Sequence, residues 1–343
     1  MSSFAGSPSL SSSDSRSAGP SSEASPAGRF SGPMASETLD LKLMQGFRFT
    51  ASSSGPHLLA TGGVHGDEFE PIAALRRLVR LLESGDLPLR CGRLTVLPLV
   101  NESAFWRGHR TGEDLLDLAR TCPGRADGTL TEQVALIVSE QIRGADAYVD
   151  LHTGGTELTV SPMTGYVLHA APAVLARQRE MARAFNLPLI WGTSPELSGR
   201  TLSIARDAGV PAIYAEHGGG ARCSEDGIED YLAGCLNLLG LLGMIDRPPA
   251  VSRVEQVVED PRPDSGHMQR CNPAPMAGFF EPAVTLGAMV AAGDLLGTIH
   301  GADHRSAQQV HVGGAGRVLV LRTFPRVQQG ETLGVIMEMV ATG

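Results

Sequence analysis

The chain has 343 residues, more than one compact core usually needs, so one large and one small domain are expected. A formal net charge of −9, a pI near 5.6 and the lack of any basic cluster exclude a nucleic-acid-binding surface. Lys42 is the only lysine, which excludes Schiff-base and biotinyl-lysine chemistry from the body of the protein.

The five cysteines (Cys91, Cys122, Cys223, Cys235 and Cys271) are scattered without C-x-x-C spacing. They suggest neither a disulfide framework nor a Cys₄ zinc site, and a cytoplasmic home is expected. No apolar run is long and unbroken enough to span a bilayer, so no membrane partner is expected. Residues 1–35, rich in Ser, Ala, Gly and Pro, are too polar for a signal-peptide core and read as a disordered tail, with Met34 an alternative start of translation.

Residues 57–61 read as a short buried strand and residues 71–82 repeat apolar side chains at helical spacing, with Pro71 suited to the first turn. Between them, Gly62, Gly63, Val64, His65, Gly66, Asp67 and Glu68 place an imidazole and a carboxylate three residues apart on a glycine-loosened turn. That turn falls at the carboxyl end of a strand, where open α/β sheets place ligands. Residues 93–100 read as a second strand, with Pro98 marking an edge or a strand end. A long polar connection over 101–124, with few helical or strand signals, carries arginines suited to an anion or a developing oxyanion. Arg107 and Arg125 are expected to be solvated surface residues.

A helix is expected over 131–142, with Thr131 in the N-cap region, leading into a strand that ends at His152. Further helices are expected over 173–185, 199–208 and 225–244, and further strands over 187–191 and 211–216, the last ending in Glu216. Alternating strand and helix implies an α/β fold, with a mostly parallel sheet flanked by helices. Parallel neighbours would bring the ends of three strands together, each followed by glycine: Gly66, Gly154 and Gly218. His65 and Glu68 are donors that Zn²⁺ accepts, and a catalytic zinc needs a further protein ligand and one open position. His152 and Glu216 are the candidates. A lone histidine after a strand is more often structural, and the conjunction of three strand ends is what favours a site.

These residues bring the chain to a resemblance. Gly62 to Glu68, Asn101 through Arg110, the run Asp117, Leu118, Ala119, Arg120, then Asp150, Leu151, His152, and Ala215 to Gly219 resemble the motifs of the succinylglutamate desuccinylase/aspartoacylase family, zinc carboxypeptidase-like deacylases, over roughly residues 40 to 340. The resemblance is nearer to the acetyl-diaminobutyrate deacetylase type than to aspartoacylase. It implies one Zn²⁺ per subunit bound by His65, Glu68 and His152, with Glu216 as general base and Arg110 polarising the scissile carbonyl. Arg120 and Asn101 would contact the substrate, with Arg120 helping to hold the substrate carboxylate. One departure alters the pattern: Ala119 stands where aspartoacylase-like members have asparagine, so substrate recognition should differ.

On this reading zinc polarises an amide carbonyl and acidifies water, Glu216 moves the proton, and zinc with Arg110 stabilises the oxyanion. Asp150 is open between orienting a neighbour and a buried capping role. His217 should point to the opposite face of its strand. Residues 36–248 would form the deacylase domain and 249–343 a small all-β domain with hairpins around 276–282 and 286–299. Val290, Gly293, Asp294, Leu296 and Gly297 are similar to a lipoyl- or biotinyl-carrier pattern, but without a lysine the segment is no swinging arm. It would shape the pocket mouth or a subunit contact, and a homo-oligomer is left open. The function expected is hydrolysis of a small N-acyl substrate. The rivals are a carboxypeptidase acting on short peptides and a metal-binding relic without turnover.

Overall fold

The computed structural model describes residues 34–263, 265–268 and 271–338. The expected disordered tail, apart from Met34 and Ala35, lies outside the described residues. Two hairpin strands come first, β1 (Ala35–Asp40) and β2 (Gln45–Thr50), followed by β3 (His57–Thr61), α1 (Phe69–Glu83) and β4 (Arg93–Leu97). The chain continues through α2 (Glu102–Arg107), α3 (Leu118–Thr121), α4 (Leu130–Arg143), β5 (Ala147–His152) and β6 (Leu158–Val167). Then come α5 (Pro172–Phe185), β7 (Leu189–Thr193), α6 (Thr201–Ala208), β8 (Ala212–Gly219) and α7 (Glu225–Leu241). The remainder is β-rich: β9 (Gln256–Glu259), β10 (Gly278–Pro282), β11 (Met289–Val290), β12 (Leu295–His300), β13 (Ala307–His311), β14 (Gly316–Arg322), β15 (Arg326–Val327) and β16 (Gly334–Glu338).

The fold class read from the sequence holds: a large mixed sheet, parallel through its centre and flanked by helices, with a small antiparallel sheet near the C-terminus. Among the described residues the large sheet has 12 strands, with the path β1-β2-β4-β3-β5-β8-β6-β14-β11. β3 and β5 are buried along their whole length, as strands covered on both faces must be. On one face α1, α5 and α7 contribute Leu75, Leu78, Phe185, Tyr231 and Leu238 to a core shared with Leu58 and Val149. On the other, α3, α4 and α6 contribute Leu118, Val134, Val138 and Ile204 to a core shared with Leu59 and Tyr148. Side chains alternate along a strand, so Thr61, Asp150 and His152 project on the second face.

Several boundaries differ from expectation for local reasons. The N-cap of α4 is Thr129, two residues before the expected Thr131, because the Glu132 carboxylate accepts the Thr129 backbone N–H at 2.7 Å. Pro98 marks a strand end, since β4 lies inside the sheet between β2 and β3. The 101–124 connection contains α2 and α3, whose caps Asn101 and Asp117 accept backbone N–H groups of Ala104 and Ala119. α7 stops at Leu241 because Gly243 takes φ 69°.

β6 has no counterpart among the expected strands. Pro162 falls within the register shift between Val160 and Met163, and Gly165 leaves room for the Tyr214 ring, whose Cζ would lie 2.2 Å from a Cβ at that position. Within the C-terminal segment, β10, β12, β13 and β15 build the four-stranded second sheet, whereas β9, β11, β14 and β16 extend the large one.

Candidate active site

The parallel register aligns the strand ends. Thr61 on β3 pairs with Asp150 on β5, and His152 on β5 pairs with Glu216 on β8. The turn after β3 carries His65 and ends at Glu68, the N-cap of α1. Gly66 is needed there for space: a Cβ would lie 1.9 Å from the Ala104 carbonyl carbon. Asp67 accepts the Thr156 N–H at 2.8 Å and so stitches this turn to the loop that follows His152.

His65 Nδ1 lies 2.7 Å from Glu68 Oε1 and His152 Nδ1 lies 3.0 Å from Glu68 Oε2, with all three residues buried. One donor atom from each falls within 4.8 Å of the others. The second nitrogen of each ring faces an aspartate: His65 Nε2 is 3.2 Å from Asp117 Oδ1, and His152 Nε2 is 3.1 Å from Asp150 Oδ2. Asp150 is itself held by the hydroxyls of Thr61 and Thr201. Both of its readings have a counterpart: Asp150 faces the His152 ring, and it is fully buried against the first turn of α6 through Thr201. The Tyr231 hydroxyl donates to the His152 carbonyl and fixes the strand end from below.

This donor set fits a divalent cation of the zinc type. Two imidazole nitrogens and a carboxylate point at a common volume, and a carboxylate behind each ring orients it as metal-binding histidines require. Burial opposes ionisation of Glu68, but the two flanking imidazoles outweigh it and hold the carboxyl well below its usual range. Burial likewise opposes charge on His152, and Asp150 and Glu68 overcome it, raising the imidazole well above its ordinary value.

Glu216 differs from the other acids. It is buried, its Oε2 has no hydrogen-bond partner, and burial pushes its carboxyl up to about 8, with His152 opposing and Glu68 adding to the rise. Arg110 donates from Nε to Asp117 Oδ2 at 2.9 Å and places Nη1 4.0 Å from Glu68 Oε1. Arg120 reaches the same pocket, and its Nη1 donates to the Ala119 carbonyl at 2.6 Å.

The pocket has a volume of about 90 Å³ and joins His65, Glu68, Arg110, Arg120, His152 and Glu216 to an apolar wall of Leu158, Val160, Leu202, Met268 and Val320. Asn101 does not line it; its carboxamide oxygen caps α2. His217 lies on the far face, 3.1 Å from Asp230, as its strand position requires. Arg107 contacts Thr111 and Gly112, and Arg125 pairs with Asp127 and Glu132, both away from the pocket. Sequence reasoning gave no role to Asp117, Arg200, Tyr214, Met268 or Val320. Asp117 stood inside a quoted motif, whereas Met268 and Val320 reach the pocket from the C-terminal segment without any local signal.

Residues 54–242 match the model of the succinylglutamate desuccinylase/aspartoacylase catalytic domain. The chain is 30% identical over 293 residues to the N-alpha-acetyl-L-2,4-diaminobutyric acid deacetylase of Halomonas elongata, with 83% of each protein covered. A crystal structure of a succinylglutamate desuccinylase/aspartoacylase from Rhodobacter sphaeroides aligns with a TM-score of 0.77 at 28% identity, covering 87% of this chain and 89% of that one. A product-bound structure of the ectoine utilization protein EutE (DoeB) from Ruegeria pomeroyi aligns with a TM-score of 0.75 at 28% identity, covering 86% and 89%. With more than half of the chain matched by the family's catalytic-domain model and a buried His-Glu-His group at the strand ends, the chain belongs to the succinylglutamate desuccinylase/aspartoacylase family of metal-dependent deacylases.

Proposed function

We propose that the protein is a zinc-dependent amidohydrolase that removes a small acyl group from an N-acylated amino acid, with N-α-acetyl-2,4-diaminobutyrate the first compound to test. The observation that carries the proposal is the convergence of His65, Glu68 and His152 beside a buried carboxylate, Glu216, that has an unpartnered oxygen. His65, Glu68 and His152 hold the metal. Bound zinc polarises a carbonyl oxygen and lowers the pKa of water.

The protein's own groups do the rest. Glu216, in its ionised form, takes a proton from the attacking water at Oε2 and returns it to the leaving nitrogen. Arg110, kept charged by Asp117 and Glu68 although burial opposes it, faces the oxygen on which negative charge develops. Asp117 and Asp150 hold the two imidazoles in orientation. Arg120 lies on the substrate side of the pocket. Asn101 caps α2 through its carboxamide oxygen, and its Nδ2 is buried without a partner. The apolar wall excludes water from the acyl end.

The relative from Halomonas elongata is named for deacetylation of a diaminobutyric acid, which supports an N-acyl amino acid in preference to a peptide. All five cysteines are free, and no helix among the described residues is long and apolar enough to cross a membrane, which supports a cytoplasmic location. The test is a screen of the metal-loaded protein against N-acetyl, N-succinyl and N-formyl amino acids beside a set of dipeptides. Hydrolysis of the N-acyl compounds is expected. Cleavage confined to dipeptides would overturn the assignment in favour of a carboxypeptidase.

A further inference from the structure

We propose that Thr61 and Thr201 are positioning residues for the metal centre, acting through the Asp150 carboxylate on the ring of His152; the proposal rests on the metal-dependent deacylase reading above. The two hydroxyls reach Asp150 from separate elements, Thr61 from the last position of β3 and Thr201 from the first position of α6. Thr61 Oγ1 donates to Asp150 Oδ1 at 2.6 Å. Thr201 Oγ1 donates to Asp150 Oδ2, the oxygen that lies 3.1 Å from His152 Nε2. Behind Thr61 stands the Tyr148 hydroxyl, 2.8 Å from Thr61 Oγ1. Thr61 has one hydroxyl proton and gives it to Asp150, so Tyr148 is the donor to Thr61. The chain of bonds thus runs one way, from Tyr148 through Thr61 to Asp150.

Asp150 is fully buried, and among the described residues no lysine or arginine forms an ion pair with it. A carboxylate taken out of water without a fixed cation depends on its hydrogen-bond donors. The two hydroxyls also settle its orientation. The torsion that turns an aspartate carboxyl about its Cβ–Cγ bond is intrinsically broad, and a donor on each oxygen removes that freedom. An acceptor held in one plane holds the His152 ring in one plane, with Nδ1 toward Glu68. Thr61 comes to Asp150 through the β3–β5 register, in which the two are direct partners. Thr201 comes from the pocket wall: it lies between Arg200 and Leu202, and all three line the pocket. One hydroxyl therefore ties the support of His152 to the sheet, and the other ties it to the wall that faces the substrate.

The test measures zinc affinity of the full chain by competition with a chelator, a readout independent of turnover. Thr61→Val and Thr201→Val keep the side-chain shape and remove the hydroxyl. Each is expected to weaken zinc binding about 3- to 10-fold, less than the loss of an acceptor in direct contact with the ring. Thr201→Ser, which restores the hydroxyl, should bind within about twofold of wild type. On an Asp150→Ala background Thr201→Val should change affinity by less than about twofold, because the carboxylate through which it acts is gone. Wild-type affinity in both valine variants, an equal loss in Thr201→Ser and Thr201→Val, or an undiminished effect of Thr201→Val on the Asp150→Ala background would each overturn the proposal. The serine and valine comparison decides the matter if Asp150→Ala does not fold. A protein that shows these zinc affinities yet cleaves no N-acyl compound would refute the deacylase reading and leave the two threonines in their role.

Discussion

His152 and Glu216 are direct register partners across the parallel pair β5–β8, with the unpartnered Glu216 Oε2 buried beside the cluster of His65, Glu68 and His152. The backbone ladder, and not a mobile loop, therefore sets the separation between a candidate metal ligand and the proposed base. Replacing Glu216 with Gln keeps the shape and removes the proposed base. Hydrolysis should fall by about 10²- to 10⁴-fold while zinc content stays that of the wild type. Retained hydrolysis would remove Glu216 from its role.

The aspartates behind the imidazoles give a separate prediction. Asp117→Asn and Asp150→Asn should each lower zinc affinity by about 10- to 100-fold, measured by competition with a chelator. Asp150→Asn should also weaken the links to Thr61 and Thr201 and lower the unfolding midpoint more than Asp117→Asn does. Unchanged affinity in both variants would mean that the aspartates do not orient the rings.

Burial raises the Glu216 carboxyl from 4.5 to about 8 in the metal-free protein. Between those values the folded state binds more protons than the unfolded one, so stability is greatest below the lower value and is lost as pH rises through the upper one. Urea midpoints of the chelated protein should therefore carry a component that falls from about pH 4.5 to about pH 8. Glu216→Gln should flatten it. A slope that is the same in the variant would show that Glu216 ionises normally.

The strand ends that carry the candidate site were readable because apolar runs, turn glycines and polar residues fall together in short stretches of chain, as in the segment from His57 to Glu68. The order of the strands was not, since register lies in contacts between remote residues such as Thr61 and Asp150. β6 had no expected counterpart; it contains Pro162 and Gly165, types that ordinarily interrupt strands, of which one accompanies an irregular pairing and the other admits a ring. Asn101 read as a substrate contact, and its oxygen is used to cap α2. Arg200 had no motif to mark it; its buried, unpartnered Nη2 shows only in the structure.

The C-terminal segment is joined to the site through Arg322. Its fully buried guanidinium donates to the carbonyls of Thr332 and Arg326 and to the carboxylates of Glu157 and Glu331. Glu157 belongs to the loop after His152, and its carbonyl accepts the N–H groups of Thr323 and Phe324. Arg322→Met should cost about 2 to 4 kcal/mol, less than a fully enclosed ion pair because both glutamates are partly exposed. Urea unfolding checks the loss, and a cost under about 0.5 kcal/mol would show that the joint is not structural.

The most direct measurement is the metal content of the purified protein and of three single variants, His65→Ala, Glu68→Ala and His152→Ala, after equilibration with limiting zinc. Wild type should hold about one ion per chain, as a three-ligand catalytic site does, and each variant should hold far less while remaining folded by circular dichroism. Wild-type protein that takes up no ion, or a His152→Ala variant that binds it as tightly as wild type, would contradict the account.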